Sequence, residues 1–174
     1  MPPTAQILAL DLATTTGWAL GTVHDPAPLC GSIQIAAADA SLGRLFSNWR
    51  DFLHDFLSAN PEIRIVVFEA PMDPTLMHGK RRPGTARKLI GLCAVTEELL
   101  YTLGRYDVRE AQVSAVRCHF IGRNYRRAMA KALTTKRCRQ LGWAPQDDNA
   151  ADALALWDYQ RSLLVTNDLL RRSA

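Results

Sequence analysis

The sequence predicts one α/β domain carrying a mixed five-stranded sheet flanked by helices. Three observations lead there. Short apolar runs of strand length, separated by turn residues, fill residues 6–36. After them, strand-length runs alternate with segments of helical spacing, the pattern expected of crossovers and parallel pairing. The chain of 174 residues has no internal repeat and no low-complexity tract, so residues 1–174 suit a single core.

Taken in order, "QILALDL" is a short apolar run and predicts a buried strand. "TGWALGTV" and "CGSIQIA" are each near strand length and are split by the turn-like "HDPAPL", which predicts an antiparallel three-stranded meander. "SLGRLFSNWRDFLHDFLSAN" switches to helical spacing, with Leu45, Trp49, Phe52, Leu53 and Phe56 on one face and Ser41 as N-cap. "IRIVVFEAP" predicts another buried strand, ended by Pro71. "MDPTLMHGKRRPG" is polar and punctuated by Gly and Pro, and predicts a loop over residues 72–83. "TARKLIGLCAVTEELLYTLG" predicts a helix closed by Gly104, whose Leu89, Leu92, Val95, Thr96 and Leu99 serve either the core or a dimer seam. "YDVREAQ" is a brief strand, and "RRAMAKALTTKRCRQLGW" a basic helix that stops at Gly142, with Trp143 packing behind it. "DDNAADALALWDY", from Asp147 to Tyr159, is the last helix.

Composition excludes several classes. An apolar fraction of 48% with 22% charged residues is that of a globular domain rather than a disordered chain. No apolar run approaches the roughly 20 residues of a membrane span. The N-terminus lacks a basic region and carries an aspartate in its apolar run, which argues against a signal peptide. Cys30, Cys93, Cys118 and Cys138 are scattered without a C-x-x-C pair, so free thiols in a reduced, cytoplasmic setting are expected and a zinc site is not.

Net charge is only +4, but its distribution is uneven. Residues 111–146 hold no acid, while Arg117, Arg123, Arg126, Arg127, Lys131, Lys136, Arg137 and Arg139 are all basic. A second cluster contains Lys80, Arg81, Arg82, Arg87 and Lys88. A solvated helix face normally mixes signs, so a stretch of one sign this long favours an anionic partner, nucleic acid before a membrane surface.

Three carboxylates stand where apolar chain is expected. Asp11 interrupts the first strand, Glu69 ends "VVFE", and Asp152 lies a turn inside an apolar helix. A buried carboxylate costs several kcal/mol unless it is paired or metal-bound. Pairing with an arginine could explain any one of them; three together favour a shared site. If the two strands are neighbours, Asp11 and Glu69 project side by side and the last helix can pack across them. Asp148 and Asp152 are i, i+4, and Asn149 and Asp152 are i, i+3, so both pairs share a face. Asp147 points elsewhere and suits a helix cap. Clustered carboxylates suit hard divalent cations, Mg²⁺ with Mn²⁺ able to substitute. Two such ions about 4 Å apart can clamp a phosphodiester.

The ordered set "LALDLATTTGWAL", "VVFEAP" and "DDNAADALAL" resembles the RuvC-type Holliday junction resolvases of the RNase H-like superfamily, and the resemblance runs from Gln6 to Tyr159. Within it, "TARKLIGLCAV" resembles the family's DNA-facing helix, and "VSAVRCHFIG" the short segment before its basic helix. The resemblance implies an RNase H-like fold and a homodimeric endonuclease that binds four-way DNA junctions and nicks two strands symmetrically with two Mg²⁺ ions per site. Asp11, Glu69 and Asp152 match the family's acidic positions. The fourth position, three residues before the last aspartate, is Asn149 here. Asp148 is the first choice to take over, with Asn149 as a neutral carbonyl ligand or an outer support. Lys131 resembles the family's lysine near the active site, with Lys136 as competitor. The other basic residues, Lys80, Arg81, Arg82, Arg87, Lys88, Arg117, Arg123, Arg126 and Arg127, are expected to meet phosphates. Met77 and His78, in the 72–83 loop, are candidates for reaching into a junction. His119 is expected to be a surface or core histidine.

Other readings stay open. "LDLATTTGWAL" also resembles the first phosphate loop of actin-like and sugar-kinase-like ATPases, but no second glycine-rich loop or duplicated domain accompanies it. An RNase H-like nuclease acting on hybrids or flaps is closer. A junction-binding protein without catalysis follows if Asn149 disables the site.

Overall fold

The computed structural model describes residues 5–71, 83–105 and 107–172. The expectations placed on Met77, His78, Lys80, Arg81 and Arg82 lie outside them. Along the chain run β1 (Gln6–Asp11), β2 (Thr15–Thr22), β3 (Leu29–Gln34), α1 (Leu42–Ala59), β4 (Ile63–Glu69), α2 (Pro83–Thr102), β5 (Asp107–Ala111), α3 (Val113–Ile121), α4 (Arg127–Gln140) and α5 (Asp148–Arg172). The five strands form one sheet in the order β3-β2-β1-β4-β5. The expected meander is there: β1 pairs antiparallel with β2, and β2 with β3. The crossovers are there too, since β1–β4 and β4–β5 are parallel. Among the described residues, no helix is long and apolar enough to cross a membrane.

Strand periodicity sends alternate side chains to two cores. On β1, Leu8 and Leu10 face one layer with Leu45, Trp49, Leu53 and Leu57 of α1 and Leu92, Leu99 and Leu100 of α2. Ile7 and Ala9 face the other, with Ile65 and Val67 of β4 and Ala151, Leu154, Leu156 and Trp157 of α5. Burying each large side chain contributes about 1.5–3 kcal/mol. The same period carries Asp11 and Glu69 to the α5 face. The sheet's alternation therefore aims both acids at the last helix.

Caps and stops follow local chemistry. Ser41 accepts the Arg44 N–H and caps α1, as expected. Trp49 donates its indole N–H to Thr96 at 2.9 Å, tying α1 to α2 within the first core. The chain leaves α4 through Gly142, whose φ of 79° favours glycine, and Trp143 packs behind it with 4% of its surface exposed. The predicted bounds of α2 and α5 need correction. Helix α2 starts at Pro83 rather than Thr85, since a proline's missing N–H is not needed in the first turn. The segment "VSAVRCHFI" is itself helical.

Helix α5 continues to Arg172, well past Tyr159. Its apolar pattern fades there, but polar ties carry it on. The Arg161 guanidinium lies 4.6 Å from the centroid of Trp157, donates to the Asp25 carbonyl at 3.0 Å and pairs with Asp158 at 2.8 Å. His119 Nε2 lies 2.9 Å from Asp158, and its ring meets Tyr159 edge-on at 5.6 Å. Burial alone would raise the Asp158 pKa; the His119 hydrogen bond and the Arg161 charge outweigh it and hold it below the usual carboxylate range. His119 is thus a surface tie between α3 and α5.

Candidate active site

Asp11 is the last residue of β1, and its cross-strand partner on β2 is Gly17. On the other side, Leu10 pairs with Phe68, so Asp11 and Glu69 end neighbouring parallel strands. Helix α5 meets this edge with its first turns. A Cβ on Gly17 would lie 2.0 Å from the backbone oxygen of Asn149, so α5 rests on the bare backbone of β2. The helix start is also pinned from the edge strand. Ser32 donates its hydroxyl to Asp147, and Gln146 Nε2 donates to the Ser32 hydroxyl at 2.7 Å. Asp147 in turn accepts the Ala150 N–H at 2.9 Å, which makes it the cap. Burial would raise its pKa, but the hydrogen bonds from Ala150 and Ser32 lower it on balance. Replacing Asp147 with alanine is expected to cost about 1 kcal/mol in denaturant unfolding. If Asp147 is only a cap, the loss should persist in excess Mg²⁺.

Asp11, Glu69, Asn149 and Asp152 share a cavity of about 560 Å³ with Arg117, Arg127 and Lys131. Burial, first, and then the charges of Glu69 and Asp152 push the Asp11 pKa well above its ordinary value. Burial and Asp152 push Glu69 up to about 7, against the opposing pull of Arg117 and Arg127. Asp152 is also raised, by burial before anything else, while Lys131 and Arg117 act the other way. Neither the Asp11 nor the Glu69 carboxylate has a hydrogen bond or ion pair among the described residues. Lys131 Nζ lies 3.5 Å from Asp148 and 3.9 Å from Asp152. These acids are held close while repelling one another.

The donor set is all oxygen, which suits Mg²⁺ or Mn²⁺ and not zinc. Among the described residues, no three Asp, Glu, His or Cys side chains form a ready-made metal cage. The fit therefore rests on chemistry: among the described residues the Asp11 and Glu69 carboxylates have no partner and Asp152 has only Lys131 at 3.9 Å, so a divalent cation would relieve their repulsion.

Some expected residues meet here and others do not. Arg117, Arg127 and Lys131 line the cavity. Lys88 reaches its margin, donating to Thr14 Oγ1 at 3.2 Å in the turn after Asp11. Arg87, Arg123 and Arg126 are exposed outside the lining. Lys136 lies on the opposite flank of α4, in a shallow groove with Leu133 and Arg137. Asn149 lines the cavity, whereas Asp148 is outside the lining with 57% of its side chain exposed. Residues that spacing alone missed are Gly17, Ser32, Gln112 and Asn124. Only Gly17 left a trace in the sequence, as a small residue early in the second strand, shortly after Asp11.

Fold and cavity together define a mixed α/β domain with the fold of RuvC and an acidic site where β1, β4 and α5 meet. Thermus thermophilus RuvC is similar with a TM-score of 0.65 and 15% identity, covering 88% of this chain and 92% of that one. The same organism's RuvC in complex with a Holliday junction substrate gives 0.66 and 14%, covering 89% and 91%. The yeast mitochondrial Holliday junction resolvase gives 0.60 and 10%, covering 99% of this chain and 85% of that one. No family model matches the chain, and a search of curated proteins finds no match.

Proposed function

We propose that this chain is a metal-dependent DNA endonuclease that resolves four-way junctions, acting as a homodimer that nicks two strands symmetrically. The observation that carries this is the cavity itself: three acids from β1, β4 and α5, whose pKa values burial keeps raised despite Arg117, Arg127 and Lys131 in the same lining. Clustered acids of this kind suit divalent cations, and the cations around them suit phosphates. The likeness to a RuvC with a Holliday junction substrate supports branched DNA as the partner.

Asp11, Glu69 and Asp152 would hold two Mg²⁺ ions, with Asn149 as a neutral oxygen donor at the edge and Asp148 as the alternative. When bound, the ions supply an activated water and charge stabilisation for the leaving oxygen. Arg117 and Arg127 bind the phosphate and orient it toward the acids. Lys131, 3.5 Å from Asp148 and 3.9 Å from Asp152, would stand beside the bound phosphate as a third cation.

The test incubates the protein and Mg²⁺ with a synthetic four-way junction, a linear duplex and an RNA–DNA hybrid, with solution mass measured alongside. Paired nicks confined to the junction, from a dimer, support the proposal. Preferential hybrid cleavage points instead to an RNase H activity, and junction binding without cleavage to a non-catalytic binder. Arg126 and Arg127 open α4 beside the cavity. Replacing both should weaken binding to every DNA form and flatten log affinity against log salt by roughly two phosphate contacts. An unchanged slope would show that this end of α4 is merely solvated.

A further inference from the structure

A phosphodiester accounts for the charged groups of the cavity but not for its neutral ones. The lining also includes the amides Gln112 and Asn124 and the uncharged Leu89, Cys93 and Pro71. The cavity's volume of about 560 Å³ falls in the range of small-molecule sites, roughly 300–1,000 Å³. One phosphate does not fill it.

Gln112 is placed by register. Glu69 pairs with Ala111 at the end of β5, so the glutamine follows the residue beside the acid. It occupies the N-cap of α3, yet its side chain makes no cap hydrogen bond and is exposed. Short oxygen side chains are favoured at a cap, and a glutamine that caps nothing has its amide free for a ligand. Asn124 is partly oriented, since Arg117 Nη1 donates to its Oδ1 at 3.5 Å. Its amide N–H groups can still donate.

A nucleobase matches these neutral groups: apolar faces for Leu89, Cys93 and Pro71, and an edge of donors and acceptors for the amides. Glutamine and asparagine pair bidentately with adenine, giving about tenfold discrimination or more. A base is reached most easily where it is already unstacked or unpaired, as at a branch point. We propose that Gln112, supported by Asn124, reads an adenine flanking the scissile phosphate and so decides where on a junction the chain cuts. This rests on the junction-nuclease reading of the cavity.

The experiment uses a library of four-way junctions randomised at the base pairs around the crossover, with Mg²⁺, and sequences the cut ends. Wild-type protein is expected to enrich adenine about tenfold at one position beside the cut. Gln112→Ala should reduce that preference to less than about twofold, and Asn124→Ala should reduce it in part. Selectivity is a ratio, so a variant that merely loosens the fold slows all cuts and leaves the ratio intact. A wild-type profile without adenine preference overturns the proposal, as does a Gln112→Ala profile that matches wild type. Both outcomes leave the nuclease reading standing, whereas a wild-type chain that cuts no junction removes both.

Discussion

Asp11→Asn should abolish Mg²⁺-dependent junction cleavage, by at least about a hundredfold, and leave junction binding equal or tighter. The substitution keeps the shape of the side chain and removes its charge. A neutral amide is a poor ligand for a hard cation, so nucleophile activation is lost. Phosphate approach is eased at the same time. A structural signature should accompany the loss. Asp11, Glu69 and Asp152 all have folded pKa values raised first by burial, and Glu69 reaches about 7. A carboxylate raised in this way favours folding below its unfolded pKa, and that contribution disappears as pH rises through the folded value. Metal-free wild type should therefore lose stability between about pH 4.5 and pH 7 as Glu69 ionises. Asp11→Asn should be more stable than wild type at pH 8 in chelator, because it removes a charge that burial disfavours and that Glu69 and Asp152 repel. Single-turnover cleavage, junction titration and thermal unfolding across pH check all three parts. Normal turnover by the variant would sink the assignment of Asp11.

Gly17→Ala is expected to be the most disruptive small substitution. The added Cβ would sit 2.0 Å from the Asn149 backbone oxygen and 3.0 Å from the Ala150 nitrogen. Both obstacles are backbone, so no rotamer change relieves them. Either β2 recedes from β1 beside Asp11, or the first turn of α5 lifts and carries Asn149 and Asp152 away. Overpacking of this kind costs about 1–3 kcal/mol, occasionally more. Cleavage should fall at least about tenfold even where the protein remains folded. Denaturant unfolding and a divalent-ion titration measure the two effects separately. Wild-type values in both would show that the start of α5 adjusts without penalty.

The three acids are legible in the sequence because each violates a pattern. Period-two alternation sends Asp11 and Glu69 to a face that should be apolar, and helical spacing does the same for Asp152. The sheet is legible for the same reason, and its order follows from hairpins and crossovers. Asp148 and Asn149 are harder to separate because both lie within a turn of Asp152. The rotation of α5 decides between them, and that is set by contacts with Gly17 and Ser32, far away in sequence. Lys131 and Lys136 pose the same problem on α4, since a run of one charge does not say which flank faces the acids. Gln112 carries no local signal, because its place depends on how β5 registers against β4. The length of α5 is hidden by its fading apolar stripe, which Arg161 and Asp158 replace with polar anchors.

The acids come from opposite ends of the chain: Asp11 is in the first strand and Asp152 in the last helix, which also supplies much of the second core. During synthesis the sheet can begin to assemble while α5 is still unmade, but a chain halted before residue 152 lacks one wall of the cavity and its last carboxylate. The acidic site is therefore completed only when α5 docks, late in synthesis rather than gradually. A prematurely terminated fragment would carry the basic residues of α3 and α4 without the carboxylate that closes the site.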